Sequence, residues 1–504
     1  MKLLSEDQRY RIEQEEFVSN HGGSSPMEII FLMLPNLFTI SLTHLVVLKY
    51  SRKVSHNIQT SIEFILNVVP CVLCCTILSE YTKIVSIVLV IASVLIFRSI
   101  HQLPKEIRLE KSTKRIPFLT HFRALTNIIT AICILAVDFR VFPRKFAKTE
   151  LYGYSLMDTG VGLFVMANAL VAPEARDSLD APRGNMMRRL SENARVCLKG
   201  SAPLLILGFG RFLAVEYSGY QKHVSEYGVH WNFFITLAFV KIFTSTISNA
   251  ISSKFAGLTG LWIIIMHEYA LSTNGLKEWV LGNTPRVDFV SANREGLVSV
   301  PGYVGLYLMG IAVGRVIHMT YNSSRRHALF TKYKSHGFEF TCNKFLLVLV
   351  TKLFFMACIC WAVTLICESR FGVSRRLTNA GYCFWIVALS ATVINGLLLV
   401  DIQVDIVMQI VSGRKKGRSE NRRVTFEDND EGEGVRITPE IFEAVNYNGL
   451  TFFLLANLMT GIVNMSMRTL YVEDFNALLV IIFYIVAVVL VSVILHRYKL
   501  QVKL

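Results

Sequence analysis

The chain has 504 residues, of which 52% are hydrophobic and only 18% are charged, and its mean hydropathy is +0.45. A soluble domain normally carries about a quarter charged residues, so this composition excludes an ordinary soluble protein. The formal net charge of +15 would raise nucleic acid as a partner in a soluble protein. Here the basic residues flank apolar blocks, and we predict contact with membrane lipids and no nucleic acid.

The apolar residues are gathered into blocks of roughly 17–25 residues, each long enough to cross about 30 Å of hydrocarbon as a helix. Such continuous blocks do not fit the alternating pattern of a membrane β-barrel. The sequence therefore predicts an all-α, polytopic membrane protein with about 13 transmembrane helices. In chain order the predicted spans are 27–48, 60–79, 81–97, 121–138, 156–173, 198–216, 231–250, 256–272, 298–319, 344–367, 379–408, 447–467 and 475–496.

Lysine and arginine are distributed unequally between alternate loops, and this asymmetry predicts the orientation. The loops after odd-numbered spans, with the carboxyl-terminal tail, hold roughly twice as many basic residues as the other set. We therefore predict a cytosolic carboxyl terminus, a lumenal amino terminus and lumenal loops at 139–155 and 273–297. Residues 1–504 are interpreted as a single integral membrane domain, with a polar lumenal amino terminus at 1–26. The segment 412–440, a basic block followed by an acidic one, predicts a disordered cytosolic loop.

The stretch 136–153, AVDFRVFPRKFAKTELYG, begins where the fourth predicted span ends. Asp138 lies at the mouth of that span, and Lys148 follows after a short aromatic and basic loop. A carboxylate and an ammonium group at a membrane surface can carry out acid/base chemistry on a lipid headgroup. The alternative is that basic and aromatic residues at a span end only anchor it to the interface.

Further polar residues cluster on the predicted lumenal side, where ionisable groups at the membrane face are usually paired or functional. The candidates are Arg144 and Lys145 in the same loop, Asp158 at the next span, His230 and Asn232 at the start of the seventh span, and Asn293, Arg294 and Glu295 before the ninth. The last three fit a helix cap equally well. His267 is either a catalytic histidine or a packed helix residue. The ten cysteines lie mostly in apolar blocks, and we predict no metal site.

A resemblance to a known family rests on three motifs. They are ILAVDFRVFPRKFAKTELYGYSLMDTGVG at 134–162, EYGVHWNFF at 226–234 and SANREGLVSVPGYVGLYLMG at 291–310. Together they resemble the glucosaminyl-phosphatidylinositol inositol acyltransferases of GPI-anchor biosynthesis, and the length and number of predicted spans agree. The chain has Arg140 where the family usually has proline, and Lys145 where it has arginine, and both changes keep the loop basic.

The resemblance implies an enzyme of the endoplasmic reticulum membrane that transfers a long-chain acyl group, with palmitoyl expected, from acyl-CoA to the inositol 2-hydroxyl of glucosaminyl-phosphatidylinositol. No cofactor is expected beyond acyl-CoA as co-substrate. The family's proposed acid/base pair corresponds to Asp138 and Lys148. We predict that Arg144, Lys145 and Arg294 bind the inositol phosphate, because guanidinium and ammonium groups match its charge. The other predicted substrate-binding residues are Asp158, His230, Asn232, Asn293 and Glu295.

Two other classes of function stay open from the sequence. A lipid transporter or flippase would explain the many spans and the buried polar residues, but it would not explain a dense motif in a loop at the membrane face. A scaffold subunit without chemistry is the third possibility, and it would tolerate the substitution Asp138→Asn.

Overall fold

The computed structural model describes residues 6–19, 21–50, 55–100, 109–110, 115–176, 197, 200–213, 224–273, 275–326, 330–335, 338–413, 435–436 and 439–502. In these residues the helices are α1 (Glu6–Val18), α2 (Pro26–Tyr50), α3 (His56–Cys75, with a π-helical turn at Phe64–Val68), α4 (Thr82–Ser99), α5 (Pro117–Ala136), α6 (Leu156–Ala169), α7 (Gly200–Leu213), α8 (Val224–Tyr227), α9 (Phe233–Ala250), α10 (Ala256–Ser272), α11 (Leu276–Leu281), α12 (Phe289–Ala292), α13 (Arg294–Arg326), α14 (Lys344–Phe371), α15 (Ala380–Gly413), α16 (Glu440–Tyr447), α17 (Gly449–Ser466) and α18 (Asp474–Arg497). Short 3₁₀ turns lie at Ser79–Tyr81, Arg144–Phe146, Pro173–Arg176, Ser253–Phe255 and Thr469–Tyr471.

Eleven of the described helices are long and apolar enough to cross a membrane, so the protein is a multi-pass membrane protein. They are α2 to α5, α9, α10, α13 to α15, α17 and α18. The predicted spans 156–173 and 198–216 correspond to the shorter apolar helices α6 and α7. A 14-residue helix such as α6 is only about 21 Å long, less than the hydrocarbon thickness. The predicted total of 13 spans therefore stays a prediction.

Four short strands accompany the helices in the described residues, and they were not predicted from the sequence. Strands β2 (Phe330–Ser335) and β3 (Phe338–Asn343) form an antiparallel hairpin between α13 and α14. Strand β1 (Leu109–Glu110) pairs in parallel with β4 (Val435–Arg436). All four lie in connections between helices, so the spanning part of the fold is helical, as backbone hydrogen bonding in lipid requires.

The helices at the centre of the bundle are α5, α13 and α15, which bury most of their side chains, whereas α4 and α14 leave most of theirs exposed. Small residues let α13 approach its neighbours closely. A Cβ atom on Gly260 of α10 would lie 2.8 Å from the carbonyl oxygen of Gly305, and one on Gly310 would lie 2.6 Å from Cβ of Ala169. These contacts fix α10 and α6 against α13.

One end of the bundle, the site end, carries α1, the 137–155 loop and the connection between α17 and α18. The amino-terminal helix α1 is tied to that connection: Arg468 pairs with Glu6 at 3.5 Å, and the Tyr471 hydroxyl donates to Glu13 at 2.7 Å. The predicted polar segment 1–26 thus contains a helix that lies beside the 137–155 loop.

The opposite end is joined by the Glu440 carboxylate at the start of α16, which accepts hydrogen bonds from Arg497 at 2.8 Å and from Thr60. Burial raises the pKa of Glu440, but the Arg497 guanidinium outweighs this effect and holds it at about 2. In the predicted disordered loop 412–440, residues 414–434 and 437–438 lie outside the described residues. Which end faces the lumen stays a prediction.

Candidate active site

A cavity of about 1520 Å³, here called the site cavity, extends from the loops of the site end into the bundle. Along α5 its lining residues extend from Phe122 to Asp138, a distance of about 24 Å at 1.5 Å per residue. Its deep part is mainly apolar and is lined by α5, α6 and α17, with the rings of Phe164 and Phe453 in contact at 5.1 Å between centroids. Charged and polar side chains are concentrated at the mouth.

The 137–155 loop is held in shape by Arg144. Its guanidinium donates to the carbonyl oxygens of Phe139 and Phe142 at distances of 2.8–3.1 Å, and it stacks on the ring of Phe17 from α1 at 3.9 Å. Burial lowers the pKa of Arg144 to about 10, against the opposing effect of Asp138. Arg144 is therefore engaged with the loop and α1, and it does not line the site cavity.

Asp138 lines the site cavity at the end of α5. Its Oδ2 atom accepts a hydrogen bond from the Asn464 side-chain amide of α17 at 2.8 Å. Burial raises the pKa of Asp138 to about 6, while the amide of Asn464 and the charges of Arg144 and Lys148 pull it in the opposite direction. An aspartate with this pKa is ionised at neutral pH and still basic enough to accept a proton.

Lys148 also lines the cavity, and its ammonium is held by Glu226 of α8 at 2.7 Å. The same carboxylate oxygen lies 3.2 Å from the Arg375 guanidinium, which also pairs with Asp158 at 2.7 Å. Burial disfavours the charge on Arg375, but the two carboxylates outweigh this effect and raise its pKa above the usual range. A continuous chain of ion pairs thus joins the exposed lysine to the buried start of α6.

Asp158 is buried and does not line the cavity. Its Oδ2 atom accepts from the backbone N–H and the hydroxyl of Thr149 at 3.2 and 2.7 Å, and Oδ1 accepts from Arg375. Its backbone N–H is capped by Ser155, which begins α6. The contacts of this residue fasten the 137–155 loop to α6 and to the connection between α14 and α15, and its predicted substrate-binding role stays a prediction.

Glu295 and Arg294 form a second buried cluster next to the cavity rather than in its wall. Glu295 binds Arg286 at 2.5 Å and lies 3.5 Å from Arg376. Arg294 donates to the carbonyl oxygens of Gly282 and Thr284. The contacts of both predicted residues are therefore with the protein itself.

Three polar residues organise the loop before α9. The side-chain oxygen of Asn293 accepts from the backbone N–H groups of His230 and Trp231 at 2.8 and 3.1 Å. Asn232 caps the start of α9 and donates to the carbonyl oxygen of Gly208 at 2.8 Å. His230 and Asn232 line the cavity, whereas Asn293 supports them from behind.

Lys145 does not line the cavity and pairs with Glu80 at 2.6 Å and Glu28 at 3.5 Å. Burial disfavours the charge on Lys145, but these carboxylates together outweigh it and raise its pKa. His267 of α10 is buried and bonds the carbonyl oxygen of Leu377 at 2.9 Å, as expected of a packed helix residue.

The cavity wall thus contains four of the predicted site residues, Asp138, Lys148, His230 and Asn232. It also contains Asn464, which the sequence analysis missed. A polar residue in the last turn of the apolar helix α17 was the available signal, because such residues at a membrane face are often functional.

Comparison with known proteins gives the same family by two routes, a family model and individual relatives. The model of the GWT1 family matches residues 10–495. "GPI-anchored wall transfer protein 1" of Gibberella zeae is 32% identical over 98% of this chain and 99% of its own length. "Glucosaminyl-phosphatidylinositol-acyltransferase PIGW" of Bos taurus is 31% identical over 97% of this chain and 98% of its own, and the Homo sapiens protein of the same name is 31% identical over 96% and 97%. The match of the family model over nearly the whole chain shows that this protein belongs to the GWT1 family.

Proposed function

We propose that this protein is an O-acyltransferase of GPI-anchor biosynthesis in the endoplasmic reticulum, which transfers a long-chain acyl group from acyl-CoA to the inositol 2-hydroxyl of glucosaminyl-phosphatidylinositol. The observation that carries the proposal is the shape and lining of the site cavity. A mouth with Asp138 and Lys148 continues into an elongated, mainly apolar channel along α5. The proposed acceptor, glucosaminyl-phosphatidylinositol, is part of the names of the mammalian relatives.

The reaction needs a base, because a sugar-type hydroxyl is a poor nucleophile at neutral pH. In the proposed step the inositol oxygen forms a bond to the thioester carbonyl carbon, and Asp138 takes the hydroxyl proton. Collapse of the tetrahedral intermediate breaks the carbon–sulfur bond, and the proton returns to the departing thiolate of coenzyme A. The pKa of Asp138, about 6, suits it to both transfers.

Lys148 is the proposed electrostatic partner. Its ammonium is near enough to Asp138 to lower the pKa of that residue, and both residues line the site cavity. The thioester oxygen becomes negatively charged in the intermediate, and a fixed ammonium stabilises that charge. Loss of one such donor typically costs about 2.7–4 kcal/mol of transition-state stabilisation.

Arg211 is the cation that we propose for the inositol phosphate. It lines the site cavity from α7 and is exposed there. Among the described residues, no carboxylate is in ion-pair contact with it. Arg144, Lys145 and Arg294, which the sequence favoured for this role, have the protein partners given above. The deep apolar part of the cavity would hold the acyl chain.

The transporter alternative is not favoured, because the family match and the names of the mammalian relatives point to acyl transfer. The deciding experiment supplies purified protein with glucosaminyl-phosphatidylinositol and palmitoyl-CoA, and measures free thiol together with the mass of the lipid product. We expect thiol release that depends on the glycolipid and is abolished by Asp138→Asn. Full thiol release by that variant, or no acylated inositol from the wild type, would refute the proposal.

A further inference from the structure

We infer that Glu226 is a positioning residue for Lys148, and that Arg375 anchors it to the rigid interior of the protein. The inference deepens the proposed function, since it concerns the same lysine. Glu226 lies on the four-residue helix α8 and lines the site cavity. Its Oε1 atom is 2.7 Å from the Lys148 ammonium and 3.2 Å from the Arg375 guanidinium.

The contact of Glu226 with Lys148 is here called the clamp. The lysine needs it because nothing in its own loop fixes the side chain. Its side chain is 42% exposed, and a four-carbon chain of this kind samples many rotamers in a cavity. Arg375, in contrast, is 4% exposed and is held by the buried Asp158 carboxylate at 2.7 Å. The buried ion pair of Arg375 and Asp158 therefore holds Glu226 in place, and Glu226 in turn holds the exposed ammonium of Lys148.

The clamp also leaves the lysine electrostatically useful. Lys148 shares the Glu226 carboxylate with Arg375, which is also paired with Asp158, so the four groups are neutral overall and the lysine has only part of one carboxylate. Lys145, in the same loop, pairs with two carboxylates, Glu80 and Glu28. A fixed but incompletely neutralised ammonium is what stabilisation of a developing oxyanion requires.

Glu226 is an unsuitable base itself, because two cations in direct contact stabilise its ionised form. This separates the role of Glu226 from that of Asp138. Asp138, which has an amide as its hydrogen-bond partner, accepts the proton, whereas Glu226 stays charged and fixes the lysine.

The test compares Glu226→Gln with Glu150→Gln. Glu150 also lines the cavity and pairs with the neighbouring arginine, Arg376, at 3.4 Å, so it is a matched control. We expect Glu226→Gln to lower kcat by about tenfold to a hundredfold, the scale of a small misplacement of a reacting group. The Michaelis constants of both substrates should stay within about twofold of wild type, because binding energy common to substrate and transition state is not lost. Glu150→Gln should leave all three constants unchanged.

A second readout does not depend on activity. The rate at which an amine-reactive reagent labels Lys148 at neutral pH, followed by mass spectrometry, reports on the surroundings of this side chain. The charged groups that face this lysine are Glu226 on α8, Arg375 beyond it and Asp138 on its own loop. Removal of the Glu226 charge takes away the direct ionic partner of the Lys148 ammonium and should increase its labelling at neutral pH. Lys145, in the same loop, is the internal control and should not change.

The two readouts keep failure of the inference distinct from failure of the proposed function. A wild type without acyl transfer would refute the function, and the labelling would still test the clamp. Unchanged labelling of Lys148 in Glu226→Gln would overturn the inference, whatever the activity. If the glutamine variant does not fold, Glu226→Asp keeps the charge and shortens its reach. It should lower kcat while leaving the labelling of Lys148 close to wild type, and unchanged kcat would count against positioning.

Discussion

Two aspartates of the first motif, Asp138 and Asp158, show how differently the same side chain is used within one short segment. Asp158 is buried, and its two oxygens bind an arginine, a hydroxyl and a backbone N–H. Asp138 lines the cavity and accepts one hydrogen bond from a neutral amide, and in the described residues no cation is in direct contact with it. The carboxylate of Asp158, with both oxygens engaged, stabilises the fold. The carboxylate of Asp138 has fewer partners and can still accept a substrate proton.

The largest effect expected from this contrast is on activity. Asp138→Asn is nearly isosteric and should lower kcat by about 10²–10⁴-fold, because the amide cannot accept the inositol proton. Folding should not suffer at pH 7, since burial disfavours the ionised form of Asp138. Initial rates and thermal unfolding of the purified variant check both statements. Wild-type turnover at saturating substrate would remove Asp138 from the mechanism.

Asp158→Asn should have the opposite profile. The variant leaves the buried Arg375 with Glu226 alone, and breaking a buried ion pair typically costs about 3–5 kcal/mol. We expect lower yield and a lower midpoint of thermal unfolding, measured in the same detergent as the wild type. The control is Glu150→Gln, which breaks a partly exposed pair and should change the midpoint little. A stable but inactive Asp158→Asn protein would instead support the substrate-binding role predicted from the sequence.

The pH dependence of the reaction tests whether Asp138 is the base. The base must be ionised, so kcat/KM should fall as the pH decreases through about 6, the pKa of Asp138. The amide of Asn464 favours the ionised form, so Asn464→Leu should raise this pKa and move the acid limb to higher pH. A limb near pH 4, or one that Asn464→Leu does not move, would contradict the assignment.

The sequence predicted the helical membrane architecture because length and hydropathy of apolar blocks are local properties. It also selected Asp138 and Lys148, through a motif in continuous sequence. It could not predict that Asp158 binds Arg375, 217 positions away, or that Asn464 reaches Asp138 from α17. Those contacts depend on how the helices pack, and periodicity carries no information about which helix lies next to which.

Arginine and lysine were likewise indistinguishable by charge alone. In sequence Arg144, Lys145 and Lys148 are equally basic neighbours, and a phosphate would attract all three. Their partners separate them: backbone carbonyls and an aromatic ring bind Arg144, exposed glutamates bind Lys145, and a shared cavity glutamate binds Lys148.

The smallest effect is expected at Lys145, and it tests whether the partners of the three basic residues separate their roles. Its ion pairs are with Glu80 and Glu28, whose side chains are 68% and 45% exposed, and such surface pairs contribute only about 0–1 kcal/mol. Lys145→Gln should therefore leave kcat and both Michaelis constants unchanged and lower thermal stability slightly at most. The matched substitution Arg211→Gln should raise the Michaelis constant for glucosaminyl-phosphatidylinositol and spare that for acyl-CoA. If Lys145→Gln raises the glycolipid constant and Arg211→Gln does not, the phosphate is bound by the loop that the sequence first indicated, and the side chain of Lys145 must leave its glutamates when substrate binds.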